Sequence, residues 1–179
     1  DSFASRQSRS NCCEDLEVLG VHIDGGMRER FIVPTRKLHP SHEGLEMEQL
    51  ALVETLAIGC HAIDRASPDA DDTVLIIGAG PIGLTCVEFT RLTSAKLIVM
   101  DMNESRLAFC REQMGVETTI TFKGDESEEQ AIRDANQGKL PTIVIDATGN
   151  ATSMANAMNY VAHTGTLIYV GITLGEIVF

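Results

Sequence analysis

Three features of the sequence predict an α/β fold built on a doubly wound parallel sheet. From Asp71 onward, short apolar runs alternate with helical stretches. Strands separated by crossover helices pair in parallel, with helices on both faces. The run TVLIIGAGPIGL sets Gly78, Gly80 and Gly83 in a G-x-G-x-x-G spacing at the end of the first of these strands. The next apolar run, KLIVMD, ends on Asp101, 21 residues past Gly80.

In chain order, residues 1–43 read as strand and turn. Leu16–Ile23 is short and apolar, Asp24-Gly25-Gly26 is a turn signal, and Arg28–Val33 alternates before Pro34. Between Glu43 and Ala66 the apolar period changes to three and four, through Leu45, Leu52, Leu56, Cys60 and Ile63, which predicts helices with a buried face. Ser67-Pro68-Asp69 ends that block. Strand 73–77 is followed by helix 81–92, strand 96–100 and helix 104–114, with Asn103 as its N-cap and Gly115 as its stop. A strand at 118–122, a polar helix near 126–136, strand 142–146, a helix near 151–161 and strand 166–171 complete the five-stranded series.

The glycine turn carries a specific chemistry. Gly78 permits a tight strand-to-helix turn, Gly80 has no Cβ to hold a pyrophosphate away from the backbone, and Gly83 lets the helix sit close on the strand. Pro81 and Ile82 open that helix, whose free N–H groups and positive end face phosphates. Asp101 can accept from both hydroxyls of a ribose and repels a 2′-phosphate, so NAD is expected over NADP. Arg106, one turn into the next helix, either lies over the adenine or pairs with surface acids. The fourth strand exits into DATGN, which puts Thr148 and Gly149 on the cofactor side, although Thr148, Asn150 and Thr152 could equally cap the next helix. The fifth strand delivers Val170 and Gly171 to the same rim.

Other residues are less specific. Glu54 sits among apolar neighbours in ALVETLAIGCHAI; it is either an exposed turn of that helix or an inner-face carboxylate that needs a partner. Cys60 and His61 follow it but point in different directions on a helix, so a Glu–Cys–His metal set is not expected. Cys12-Cys13 cannot close a four-ligand zinc site alone. A net charge of −12 argues against nucleic acid or an anionic membrane as partner. No apolar run reaches a membrane span, the first residues lack a signal-peptide core, and five irregularly spaced cysteines do not form a disulfide framework, so a cytoplasmic protein is expected.

With these residues in place the chain resembles the zinc-dependent medium-chain alcohol dehydrogenases, nearest their polyol, L-threonine and L-galactonate branch. The resemblance rests on NCCEDLEVLGVHIDGG, LALVETLAIGCHAI, VLIIGAGPIGL, VMDMNESRL, VIDATGN and GTLIYVGI, in family order. It implies a remnant of a GroES-like β domain over 1–43, connecting helices over 44–68, and a truncated Rossmann NAD-binding domain over 69–179. It also implies hydride transfer from a secondary alcohol, an alcohol or polyol, to NAD. Glu54 matches a glutamate at or near the family's catalytic zinc, which implies a catalytic or zinc-neighbour role. Its other zinc ligands would precede residue 1, so this chain is not expected to hold that ion or to be active alone. Cys13 matches the last cysteine of the structural-zinc lobe, but Ser5 and Ser2 stand where two partners would, so no structural zinc is expected. Relatives pair through an edge strand that the resemblance puts beyond Phe179, which leaves a homo-oligomer open. A non-catalytic dinucleotide-binding module is the alternative reading. A flavoprotein or methyltransferase on the same turn fits less well, since about 70 residues precede the first strand.

Overall fold

The computed structural model describes residues 2–178 and divides the chain into two compact units, one up to Leu45 and one from Glu46 onward. The first unit opens on a four-residue helix, α1 (Phe3–Arg6), capped where the Ser2 hydroxyl accepts the Ser5 N–H at 3.2 Å. Short 3₁₀ turns follow at Ser10–Cys12 and Thr35–Lys37. The strands expected over 16–23 and 28–33 are absent; a single bridge, Leu19 to Ile23, stands in their place. Backbone groups there are satisfied locally instead. Val18 O accepts from the N–H of both Val21 and His22, Gly20 N–H donates to Ile23 O, and His22 Nδ1 accepts from Val18 N–H at 3.0 Å. An apolar run becomes a strand only when a second strand takes its ladder bonds, and the described residues of this unit supply none.

The second unit begins with α2 (Met47–Ala51) and α3 (Val53–Ala66). It then alternates β1 (Thr73–Ile77), α4 (Pro81–Thr90), β2 (Lys96–Asp101), α5 (Glu104–Glu112), β3 (Thr118–Thr121), α6 (Glu128–Ala135), β4 (Ile143–Asp146), α7 (Ala151–Ala157) and β5 (Thr166–Tyr169). All five strands run parallel in the order β3-β2-β1-β4-β5. The expected α/β, doubly wound parallel sheet is therefore present.

Burial explains why the strands read as unbroken apolar runs. Side chains alternate across a strand, and both faces of this sheet are covered. Val74 and Ile76 of β1 pack with Val99, Ile143, Ile145, Cys86, Val87 and Leu107 on one face, while Leu75 and Ile77 pack with Ile98, Met100, Val144, Ile132 and Tyr160 on the other. Each fully buried Ile or Leu contributes about 1.5–3 kcal/mol relative to exposure. The two halves of the sheet meet at β1 and β4, where the order reverses, and a crevice opens there at the carboxyl ends of the strands. Among the described residues no helix is long and apolar enough to cross a membrane.

One buried acid holds the entry to α6. Glu128 is 4% exposed and its Oε1 accepts the N–H of Lys123 at 3.0 Å and of Gly124 at 2.7 Å. Burial pushes this carboxyl up, but the backbone N–H donors of Gly124, Lys123 and Glu128 itself together outweigh it and hold the group below its ordinary value of 4.5. The ionised form is thus favoured by folding. Its stabilisation is complete above pH 4.5 and fades as pH falls through the lowered native value. Glu128→Gln should cost about 1 kcal/mol at pH 7, and urea unfolding should show that difference shrinking at pH values below 4.5.

Candidate functional site

The glycine turn lies at the carboxyl end of β1. Gly78 adopts φ +98°, a region that favours glycine, and its N–H donates to Met100 O at 2.8 Å. Gly80 has an ordinary φ of −77° and serves as N-cap of α4, with Pro81 at the first helical position. A Cβ added to Gly80 would find no protein atom nearer than Arg106 Nη1 at 3.9 Å. The reason for glycine there is external, since that volume is open cleft. At Gly83 the reason is internal: a Cβ would overlap the Gly78 carbonyl oxygen and stand 2.8 Å from its carbon.

Asp101 ends β2 with 7% exposure and lines the same cleft. Its Oδ2 accepts the Ala79 N–H at 2.6 Å and its Oδ1 accepts the Asn103 N–H at 2.7 Å. One oxygen therefore braces the glycine turn and the other braces the entry to α5. Each carboxylate oxygen accepts more than one hydrogen bond, so capacity remains toward the cleft. The exposed Arg106 guanidinium lies 3.9 Å from Asp101 Oδ2. Of the two readings of Arg106, the structure places it at the cleft rim with Asp101 as its acid neighbour.

The cleft measures about 680 Å³ and runs from Gly78, Gly80, Pro81 and Ile82 to Met102, Arg106 and Phe122. Its opposite wall is polar: Thr148, Asn150, Thr152, Ser153 and Asn156. A second cavity of about 400 Å³ lies against Glu54 and Ile58 of α3, with Gly149, Val170, Gly171 and Ile172. The two share Ile82, Ala147 and Thr148. Glu54 has the exposed position of the first reading and not the paired, inner-face position of the second, and it lines the second cavity. Of the residues singled out from the sequence for the cofactor, Gly78, Gly80, Pro81, Ile82, Asp101, Arg106, Thr148, Val170 and Gly171 line these two spaces, whereas Gly83 lines neither and packs against Gly78. The α7 wall was not foreseen. Asn150 accepts the Ser153 N–H at 3.0 Å, so it caps α7 and lines the cleft together. Met102 and Phe122 were also missed; each sits just past or at the carboxyl end of its strand, the one positional signal that could have named them.

A dinucleotide fits this geometry: an open Cβ position at a helix N-terminus, a buried carboxylate beside it, and a cleft that continues around the turn. Zinc is different. The second cavity offers Glu54 without a cysteine or histidine in its lining, and no three His, Cys, Asp or Glu side chains group to hold a metal among the described residues. The described residues do not build a zinc site.

Fold and cleft define a Rossmann-type nucleotide-domain protein. The chain belongs to the zinc-binding dehydrogenase family, whose profile matches residues 81–179. It is 36% identical over 178 residues to L-galactonate-5-dehydrogenase of Escherichia coli K12, covering 98% of this chain and 51% of the relative. D-xylulose reductase A of Aspergillus oryzae is 25% identical over 97% of this chain and 50% of its own length. The chain spans about half the length of the curated relatives it matches. Among solved structures, an Escherichia coli CFT073 alcohol dehydrogenase complexed with NADH superposes with a TM-score of 0.87 at 27% identity, over 99% of this chain and 52% of that one. A zinc-binding dehydrogenase from Sinorhizobium meliloti 1021 bound to NADP gives 0.87 at 26% identity, over 99% and 53%.

Proposed function

We propose that this chain seats NAD(H) and supplies the nucleotide-binding part of the chemistry of a zinc-type alcohol or polyol dehydrogenase. One observation carries the reading: Asp101 and the open side of Gly80 stand at one cleft, bound to each other through Ala79. In this reading the diphosphate lies on the N-terminus of α4 at Gly80–Gly83, where unpaired N–H groups and the helix dipole favour negative charge. Asp101 accepts from the adenosine ribose, and Arg106 covers that end. The nicotinamide half passes Ile82 and Thr148 into the second cavity, where Val170 and Gly171 form one wall and Glu54 the other. When bound, nicotinamide supplies the hydride acceptor. The chain's own residues bind and orient it, and Glu54 presents a carboxylate on the side where a small alcohol would approach. The substrate assigned here is a secondary alcohol or polyol, supported by the named activities of the relatives.

Titration followed by NADH fluorescence tests this directly; the chain has no tryptophan to interfere. Saturable NADH binding, tighter than NADPH, is expected. Failure of both nucleotides to bind would remove the proposal, and tighter NADPH would remove the role given to Asp101. Because no three His, Cys, Asp or Glu side chains group to hold a metal among the described residues, these 179 residues are not expected to oxidise alcohols with NAD and zinc added; turnover by this chain alone would contradict that.

A further inference from the structure

Asp146, at the end of β4, has no exposed surface. Its Oδ1 accepts both the Thr148 N–H at 2.9 Å and the Thr148 hydroxyl at 2.6 Å, and its Oδ2 accepts the Ser153 hydroxyl at 2.6 Å. The backbone carbonyl of the same residue accepts the N–H of Val170 at 2.9 Å and of Gly171 at 3.2 Å. One residue therefore ties together the exit of β4, the first turn of α7 and the exit of β5. Those segments supply Thr148, Gly149, Val170 and Gly171 to the second cavity, and Thr148 and Ser153 to the cleft.

The bonding also sets the polarity of Thr148. A hydroxyl has one proton and two acceptor lone pairs. The proton is committed to Asp146, and one lone pair accepts the Asn150 N–H at 3.1 Å. What Thr148 Oγ1 has left to offer the shared wall is an acceptor. A group bound against it must be a donor, such as a primary amide N–H.

We infer that Asp146 is a positioning residue for the carboxamide-bearing half of the dinucleotide: it fixes the wall common to both cavities and makes Thr148 an obligate hydrogen-bond acceptor. The inference rests on the dinucleotide reading above, and the experiment separates the two. NADH probes the whole path, whereas AMP probes only the Asp101 end. Asp146→Ala should weaken NADH about tenfold or more, the scale of one lost hydrogen bond, and leave AMP within about twofold on the same scale. Asp146→Asn, which keeps an acceptor for Thr148, should recover most of the loss. Should Asp146→Ala not fold, Thr148→Val at an exposed position should give the same selective loss and Thr148→Ser should restore it. Parallel loss of NADH and AMP would mark a merely structural role and overturn the inference. So would unchanged NADH affinity in Thr148→Val. An unaltered chain that binds no NADH would overturn the dinucleotide reading and this inference with it.

Discussion

Gly83→Ala should lower the unfolding free energy by about 2–3 kcal/mol, although alanine is the better helix former by about 1 kcal/mol. The propensity gain loses because the new methyl has nowhere to go. It would overlap the carbonyl of Gly78, a backbone group held in place by the turn itself, with the Ala147 Cβ 3.7 Å away on the other strand exit. Extra methylenes in a close-packed region typically cost 1–3 kcal/mol, and more where no flexible side chain can yield. For a domain of this size each kcal/mol moves the melting point by roughly 2–4 °C, so far-UV circular dichroism should report a drop of roughly 5–10 °C. Gly80→Ala is the control from the same motif. Its methyl would enter open cleft, so the melt should stay within about 1 °C on that scale while NADH affinity falls. A melt unchanged in Gly83→Ala, or lowered equally in both variants, would show that the helix does not depend on close approach at Gly83.

That contrast shows which parts of the protein were legible beforehand. β1, β2 and β4 were legible because strands covered on both faces must be apolar at every position, and Val74–Ile77, Ile98–Met100 and Ile143–Ile145 are all buried. The ends of elements were less so. The helix expected over 151–161 stops at Ala157 and tightens into a 3₁₀ turn at Met158–Tyr160. The strand expected to reach residue 171 stops at Tyr169, because the N–H groups of Val170 and Gly171 both turn to Asp146 O. Such an end is decided by a long-range acceptor, which no local pattern reveals. The first 45 residues misled for a related reason: Leu16–Ile23 has strand composition, yet its hydrogen bonds close on themselves. In the site, the glycine turn was readable since Gly78 takes a positive φ and Gly83 has no room for a Cβ. The polar wall of α7 was not, because Asn150, Thr152 and Ser153 look the same whether they cap a helix or line a cleft. Asp146 was invisible as a hub until β5 and α7 were placed around it.

Asp101 couples the two kinds of demand, and its removal should be felt in both stability and specificity. In Asp101→Ala the Ala79 N–H, on a residue with 1% exposure, loses the acceptor it holds at 2.6 Å. A buried donor left without a partner costs about 1–3 kcal/mol, and the Asn103 N–H loses its acceptor as well. The glycine turn is thereby loosened before any ligand arrives. In the proposed binding mode, loss of the charged acceptor for the ribose diol removes a further interaction of about 1.5–3 kcal/mol from binding, so NADH affinity should fall by roughly 10- to 100-fold. NADPH should respond oppositely. In that binding mode the carboxylate proposed to repel a 2′-phosphate is gone, while the Arg106 guanidinium, 3.9 Å from that carboxylate, stays at the rim and can accommodate the phosphate. The ratio of NADH to NADPH affinity is therefore the decisive readout, since loosening of the turn weakens both nucleotides alike and cancels from it. Asp101→Asn keeps one acceptor and the side-chain shape; it should retain more stability than alanine while losing as much of the discrimination, because the repulsion belongs to the charge. Equal ratios in the unaltered chain and both variants would mean that the carboxylate serves the turn alone and does not select the nucleotide.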